Sequence, residues 1–310
     1  MKQSERISYA LDAMQKLDFP SDSIGYFRRI GTSWFLTGSY ADRLAAMTDD
    51  YMAKRLSCHD VIEALKPIAS EIGVPFYSMV QLFYYNCMAD LREVYAEKGY
   101  TDEMLNGVWI DLRCKLLECR EVDGGIWGNS TGGWSDGFFK LTRFALGRFQ
   151  YEYAKYDYTD TFTVSGMTLK RGDPVIKFHI PSCGPFPRAL RYDSYRRAYE
   201  FFRDYQRDGV LPIVCDSWLL FPDHDIFLPE TSNIRDFLHD FTIASSGHDD
   251  NIRAPWRAFG RYFREPFDKL PRDTGLRRAY ADWLVSGHAT GWGCGVLLFD
   301  GEKILNSDRT

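Results

Sequence analysis

The sequence contains no apolar run approaching the roughly 18 residues that a membrane-crossing helix requires, so no membrane span is expected. It also lacks an excess of positive charge. The 38 Lys and Arg residues stand against 43 Asp and Glu, for a formal net charge of -5, which argues against nucleic acid and against a polybasic membrane patch. The seven cysteines (58, 87, 114, 119, 183, 215, 294) are odd in number and unevenly spaced, with no C-x-x-C pair and no Cys/His cluster at zinc-finger spacing. A reducing cytoplasm and no structural metal follow as expectations. The opening residues MKQSERISYALDAMQKLDF have neither the apolar core nor the small-residue cleavage site of a secretory signal. Neither G-x-G-x-x-G nor a P-loop lysine is found, so the dinucleotide and nucleoside-triphosphate fingerprints are unmet.

What is present is an ordered globular composition: 45% hydrophobic, 16% aromatic and 26% charged residues in 310. At about 150 residues per domain this length favours two domains. Residues 1–122 read as a helical bundle. Ser57 with Asp60 three residues on resembles a capping box, and Val61, Ile62, Leu65, Ile68, Ala69 and Ile72 follow at helical spacing, with Pro67 as a kink and Gly73 as the stop. A second helical stretch runs from Phe76 to Gly99, and a third opens at Thr101. Residues 123–143 include GGIWGNSTGGWSDG, with six glycines in fourteen residues and no periodicity, and read as a linker and lead-in.

From 144 onward the pattern changes. Residues 144–153 alternate as one half-buried strand, with Phe149, Tyr151 and Tyr153 on one face and Arg148, Gln150 and Glu152 on the other. Ser165-Gly166 marks a hairpin, 174–180 is a strand ending near His179, 189–207 is helical, 212–219 is an apolar strand, and Asp300-Gly301 marks a terminal hairpin. A strand, crossover helix and strand in series imply a right-handed parallel pair within a mixed sheet, so the second half is α/β.

The loop His179-Ile180-Pro181-Ser182-Cys183-Gly184-Pro185 lies between a strand end and a helix start, where backbone N–H groups and the helix dipole favour an anion. It also reads as a proline-stiffened turn with a structural histidine. Cys215, Asp216 and Ser217 end the next strand, and Cys215 is expected to share a cleft with His179, as thiolate nucleophile or as acid for a departing thiolate. An inert small hydrophobe is the other reading of Cys215. Gly291, Gly293 and Gly295 would admit a ligand chain or form a bulge. His248 beside Asp249 and Asp250 is a weak metal candidate.

The strings LGRFQYE, FHIPSCGPF, SYRRAYEFF, VCDSWLLFP, SNIRDF and LPRDTGLRRAYADWLVSGHATGWGCGVLL resemble bacterial acyltransferase-domain proteins, which join a helical N-acyltransferase N-terminal domain to a GNAT-like C-terminal domain. The resemblance lies mainly from about residue 140 onward. It implies a GNAT-like mixed sheet over 144–310, an acyl-CoA donor and an amine-type acceptor. It also implies that FHIPSCGPF holds the CoA pyrophosphate and that pantetheine enters between this strand and IVCDSW. The usual GNAT phosphate loop is replaced by PSCGPF. The expected roles are His179 as base, Cys215 or Ser217 as thiolate acid, and Ser182, Cys183 and Gly184 as donor anchors. The competing readings are a Cys-His thioesterase or thiol hydrolase and a non-catalytic ligand-binding module.

Overall fold

The computed structural model describes residues 2–31, 39–249 and 256–307. Contacts divide the chain into two compact units, 1–145 and 146–310.

The first unit is helical: α1 (Gln3–Lys16), α2 (Ser21–Arg29), α3 (Ser39–Met52), α4 (Cys58–Ile72), α5 (Phe76–Lys98), α6 (Asp102–Val122) and the short α7 (Asp136–Phe139). The expected capping chemistry is in place. Ser57 and Asp60 form a reciprocal box at the start of α4, Thr101 accepts from the Met104 amide at the start of α6, and Gly73 and Gly99 close α4 and α5 at φ 67° and 70°. Helix α5 is buried without interruption from Ser78 to Ala89, as a central helix enclosed on all sides must be. The buried Arg6 guanidinium donates to Asp49 and Asp90 at 2.5 and 2.7 Å.

The glycine-rich segment is not a free linker. The Asn129 amide donates to the Tyr77 carbonyl at 2.9 Å, a side chain at Gly128 would strike the backbone of Tyr77 and Ser78, and Phe138 and Phe139 join the apolar core of the helices. Here glycine permits close approach between two backbones.

A six-stranded sheet of order β1-β2-β5-β6-β8-β7 is formed by β1 (Arg143–Leu146), which spans the division at 145/146, and by β2 (Phe149–Lys155), β5 (Pro174–His179), β6 (Leu211–Ser217), β7 (Thr242–His248) and β8 (Gly291–Phe299) of the second unit. A separate hairpin joins β3 (Thr161–Val164) to β4 (Met167–Lys170) through Ser165 and Gly166, both with positive φ. The single strand expected over 144–153 is instead two, because the chain turns at Gly147 (φ 68°). The terminal hairpin reduces to one bridge, Phe299 to Ile304, and β8 pairs with β6 and β7.

The crossover between the parallel strands β5 and β6 is α8 (Arg188–Phe201). Its Tyr195 stacks on Phe149, and Phe178 stacks on Phe237 of α10 (Asn233–Leu238), forming an aromatic core on one face of the sheet. The other face carries Val175, Val214, Val296 and Leu298, covered by Leu169 of the hairpin.

Two further helices, α9 (His224–Phe227) and α11 (Gly275–Val285), meet at a buried histidine. His224 Nδ1 donates to the Leu219 carbonyl at 3.3 Å, so Nε2 accepts from the Tyr280 hydroxyl. Burial lowers the His224 pKa from 6.5 to about 4. With the folded value depressed, the unfolded chain takes up the proton first, so stability is full above about pH 6.5 and falls as the pH drops toward 4, by about 3 kcal/mol at most. The urea midpoint should therefore fall between neutral pH and about pH 4.5 less steeply in His224→Gln than in wild type. Parallel slopes would remove His224 from the acid response.

Candidate active site

Strands β5 and β6 are neighbours for only two residue pairs, Ile176 with Ile213 and Lys177 with Val214. Neither strand ends there. β5 continues pairing with β2 as far as His179 opposite Gln150, and β6 continues with β8 as far as Ser217 opposite Gly293. The two strands therefore diverge while each stays in register with its outer partner, and a wedge opens in the middle of the sheet between residues 178–179 and 215–217. Two peptide edges face an interior opening.

Alternation fixes which side chains share a face. Lys177 and Val214 are partners, so His179 lies on the face of Asp216, while Phe178, Cys215 and Ser217 lie on the opposite face. The packing agrees: Phe178 meets Phe149 at 4.4 Å in the aromatic core, whereas Val214 sits in the aliphatic core of the other face.

This geometry corrects the expected Cys215–His179 pair. The two residues project to opposite sides of the sheet. Cys215 is 1% exposed, and burial, reinforced by the neighbouring Asp216 charge, raises its thiol well above the ordinary value. A thiol held in this way is a packing group and a poor nucleophile. Ser217 accepts from the Leu219 amide at 3.2 Å and caps the turn at 218–220, an acceptor role that leaves its own hydroxyl proton to donate.

His179 ends β5 with its side chain 12% exposed and its Nε2 2.9 Å from Glu152 Oε2 on β2. Sequence reasoning put Glu152 on the polar face of its strand but did not bring it to His179. The signal was the β2–β5 register.

The loop that follows is shaped by Arg148, another residue not singled out. Its guanidinium donates to the carbonyls of Pro181 (3.1 Å), Gly184 (2.5 Å) and Pro185 (3.2 Å). Because a trans peptide points its C=O and N–H in opposite directions, drawing the Pro181 and Pro185 carbonyls toward Arg148 turns the Ser182 and Phe186 amides away from it. Ser182 and Gly184 are exposed, Cys183 is half-buried, and α8 begins directly after Pro187. The loop and the start of α8 thus present amides at the same end of the sheet as the wedge.

The alternating glycines near the C-terminus make room for the protein itself. A Cβ at Gly291 would strike the Phe221 ring, at Gly293 the Leu220 carbonyl, and at Gly295 the Phe241 side chain. His248 turns to Asp223 and Asp249 to Thr290, while Asp250 lies outside the described residues.

Residues 143–297, half of the chain, match the model of the GNAT-like C-terminal domain. The chain belongs to this family. Solved acyltransferase structures share its fold across 93% of the chain, and so across the helical unit as well as the GNAT-like domain. One, in complex with decanoyl-CoA and teicoplanin, is 21% identical and matched over 86% of its own length at a TM-score of 0.67. A mutant in complex with octanoyl-CoA is 20% identical over 87% of its length, also at 0.67. A third, in complex with decanoyl-CoA, is 21% identical over 86% at 0.65. No protein of curated function matches the chain. Among the described residues no helix is long and apolar enough to cross a membrane.

Proposed function

We propose that this protein is an N-acyltransferase that moves an acyl group from an acyl-CoA to an amine by direct transfer. The observation that carries this reading is the wedge between β5 and β6, flanked by the 180–187 loop with the start of α8 and bearing His179 at its tip. An extended chain entering the wedge meets two strand edges that no longer pair with each other, and its anionic end meets the 182–184 loop and the α8 dipole. The likeness to acyltransferases holding octanoyl-CoA, decanoyl-CoA or CoA supports a donor of this kind, with a medium-length chain as the first to test.

In this reading the amine nitrogen adds to the thioester carbonyl carbon while His179 takes its proton. The C–N bond forms, the C–S bond breaks, and the departing thiolate takes a proton from solvent as His179 releases its own to solvent; Ser217, on the face of Cys215, does not share the face of His179. The products are an amide and free CoA.

Titration with octanoyl-CoA tests the donor site. A donor at 100 times its dissociation constant adds about 2.7 kcal/mol to stability, a clear rise in melting temperature. CoA release upon adding simple primary amines and amino sugars tests the reaction. Absence of binding by any acyl-CoA overturns the proposal.

The placement of Cys215 separates direct transfer from the thiol-hydrolase route. Cys215→Ala should keep transfer within about tenfold of wild type, and intact-mass spectra of wild type incubated with donor alone should show no acyl adduct. An adduct on Cys215 that disappears in the variant would establish the covalent route.

A further inference from the structure

Glu152 has no role in the chemistry above. β2 and β5 run antiparallel with Gln150 opposite His179 and Glu152 opposite Lys177, so Glu152 lies one pair along on the same face and reaches the imidazole diagonally. The contact is 2.9 Å, between side chains 12% and 26% exposed, where water and salt screen a charge less than at an open surface. An ionised carboxylate only accepts, so Nε2 carries the hydrogen and Nδ1 carries the lone pair.

We infer that Glu152 is a positioning residue for acyl transfer: it holds His179 as the Nε2–H tautomer, directs Nδ1 to the acceptor amine, and stabilises the imidazolium formed when Nδ1 takes the proton. This rests on the acyltransferase reading. Among the described residues, the other charged and titratable groups on this face include Lys177 on the same strand, Asp216 on β6, Cys294 on β8, and Tyr156 and Tyr158 beyond the end of β2. Arg148, in the turn before β2, is engaged with the loop carbonyls. Glu152 is hydrogen-bonded to the ring.

The test follows turnover of octanoyl-CoA with a primary amine between about pH 5 and 10, alongside NMR titration of the His179 ring, in the full chain. Glu152→Gln, close in shape and uncharged, should lower kcat about 10- to 100-fold, leave the donor KM little changed, and shift the acid limb of the profile to lower pH, because the imidazolium has lost its anionic partner. The His179 titration should shift in the same direction. Glu152→Asp should keep the limb near its wild-type position and recover part of kcat. A purely structural role would lower kcat with the limb and the ring titration unmoved, and that result, or a wild-type profile in Glu152→Gln, overturns the inference. Absence of transfer by wild type overturns the acyltransferase reading itself, and this role with it.

Discussion

His179→Ala should lower the turnover of acyl transfer by about 10²- to 10⁴-fold while leaving acyl-CoA affinity almost unchanged. The imidazole is at the tip of β5, on the wedge, while the groups proposed to hold the donor's anionic end are in the following loop. Removing the ring therefore removes the proton acceptor and leaves the donor's anchor. The loss should shrink as the pH rises, because an amine that has already lost its extra proton needs less help from a base. Steady-state rates at several pH values, with donor binding measured separately by calorimetry, check both points. A variant that turns over like wild type at neutral pH would exclude His179 as the base.

The second large effect concerns stability. Arg191 on α8 is fully buried, donating to Asp240 at 2.7 Å and to Asp236 at 2.6 Å, and Asp240 also accepts from the Tyr195 hydroxyl. Its Nη1 reaches the Phe186 carbonyl at 3.3 Å, so the same guanidinium holds the end of the 180–187 loop. Arg191→Met keeps the side-chain length and leaves the 3%-exposed Asp240 carboxylate without its countercharge. Breaking a buried pair from one side costs about 3–5 kcal/mol. Calorimetry should show the melting transition of the second unit lowered by roughly 10 °C. Arg197, which pairs with Asp193 on the same helix, supplies the contrast: those side chains are 40% and 51% exposed, and Arg197→Met should cost less than about 1 kcal/mol. Equal effects for the two would mean that burial does not govern the strength of these pairs.

Much of the architecture was legible because it depends on local chemistry. The capping box at Ser57, the left-handed stops at Gly73 and Gly99, and the paired positive-φ residues at Ser165-Gly166 are decided within a few residues of chain. The crossover rule then joined β5 to β6. What escaped reading was decided by register between distant strands. A cysteine and a histidine at neighbouring strand tips share a face or oppose each other according to a shift of one residue, and no local signal sets that shift for Cys215 and His179. Glu152 escaped for the same reason, since a polar residue alternating with Tyr151 and Tyr153 reads as solvent-facing until β5 is placed beside it. The strand over 144–153 was read too long because alternation continued across the turn at Gly147. Composition misled once, at Gly128, where glycine permits dense packing and not a loose connection.

The position of β8 bears on how the domain is made. This strand lies between β6 and β7, yet it is supplied by residues 291–299, long after its neighbours have been synthesised. Until residue 299 has left the ribosome, β6 and β7 have no partner for the edges that β8 will join, and seven backbone registers of β6 wait on it. Chains normally fold domain by domain as they emerge, but here the sheet closes in a single late, long-range step. A nascent or prematurely ended chain would carry two open strand edges, that of β6 strongly apolar, a form prone to pairing with another copy.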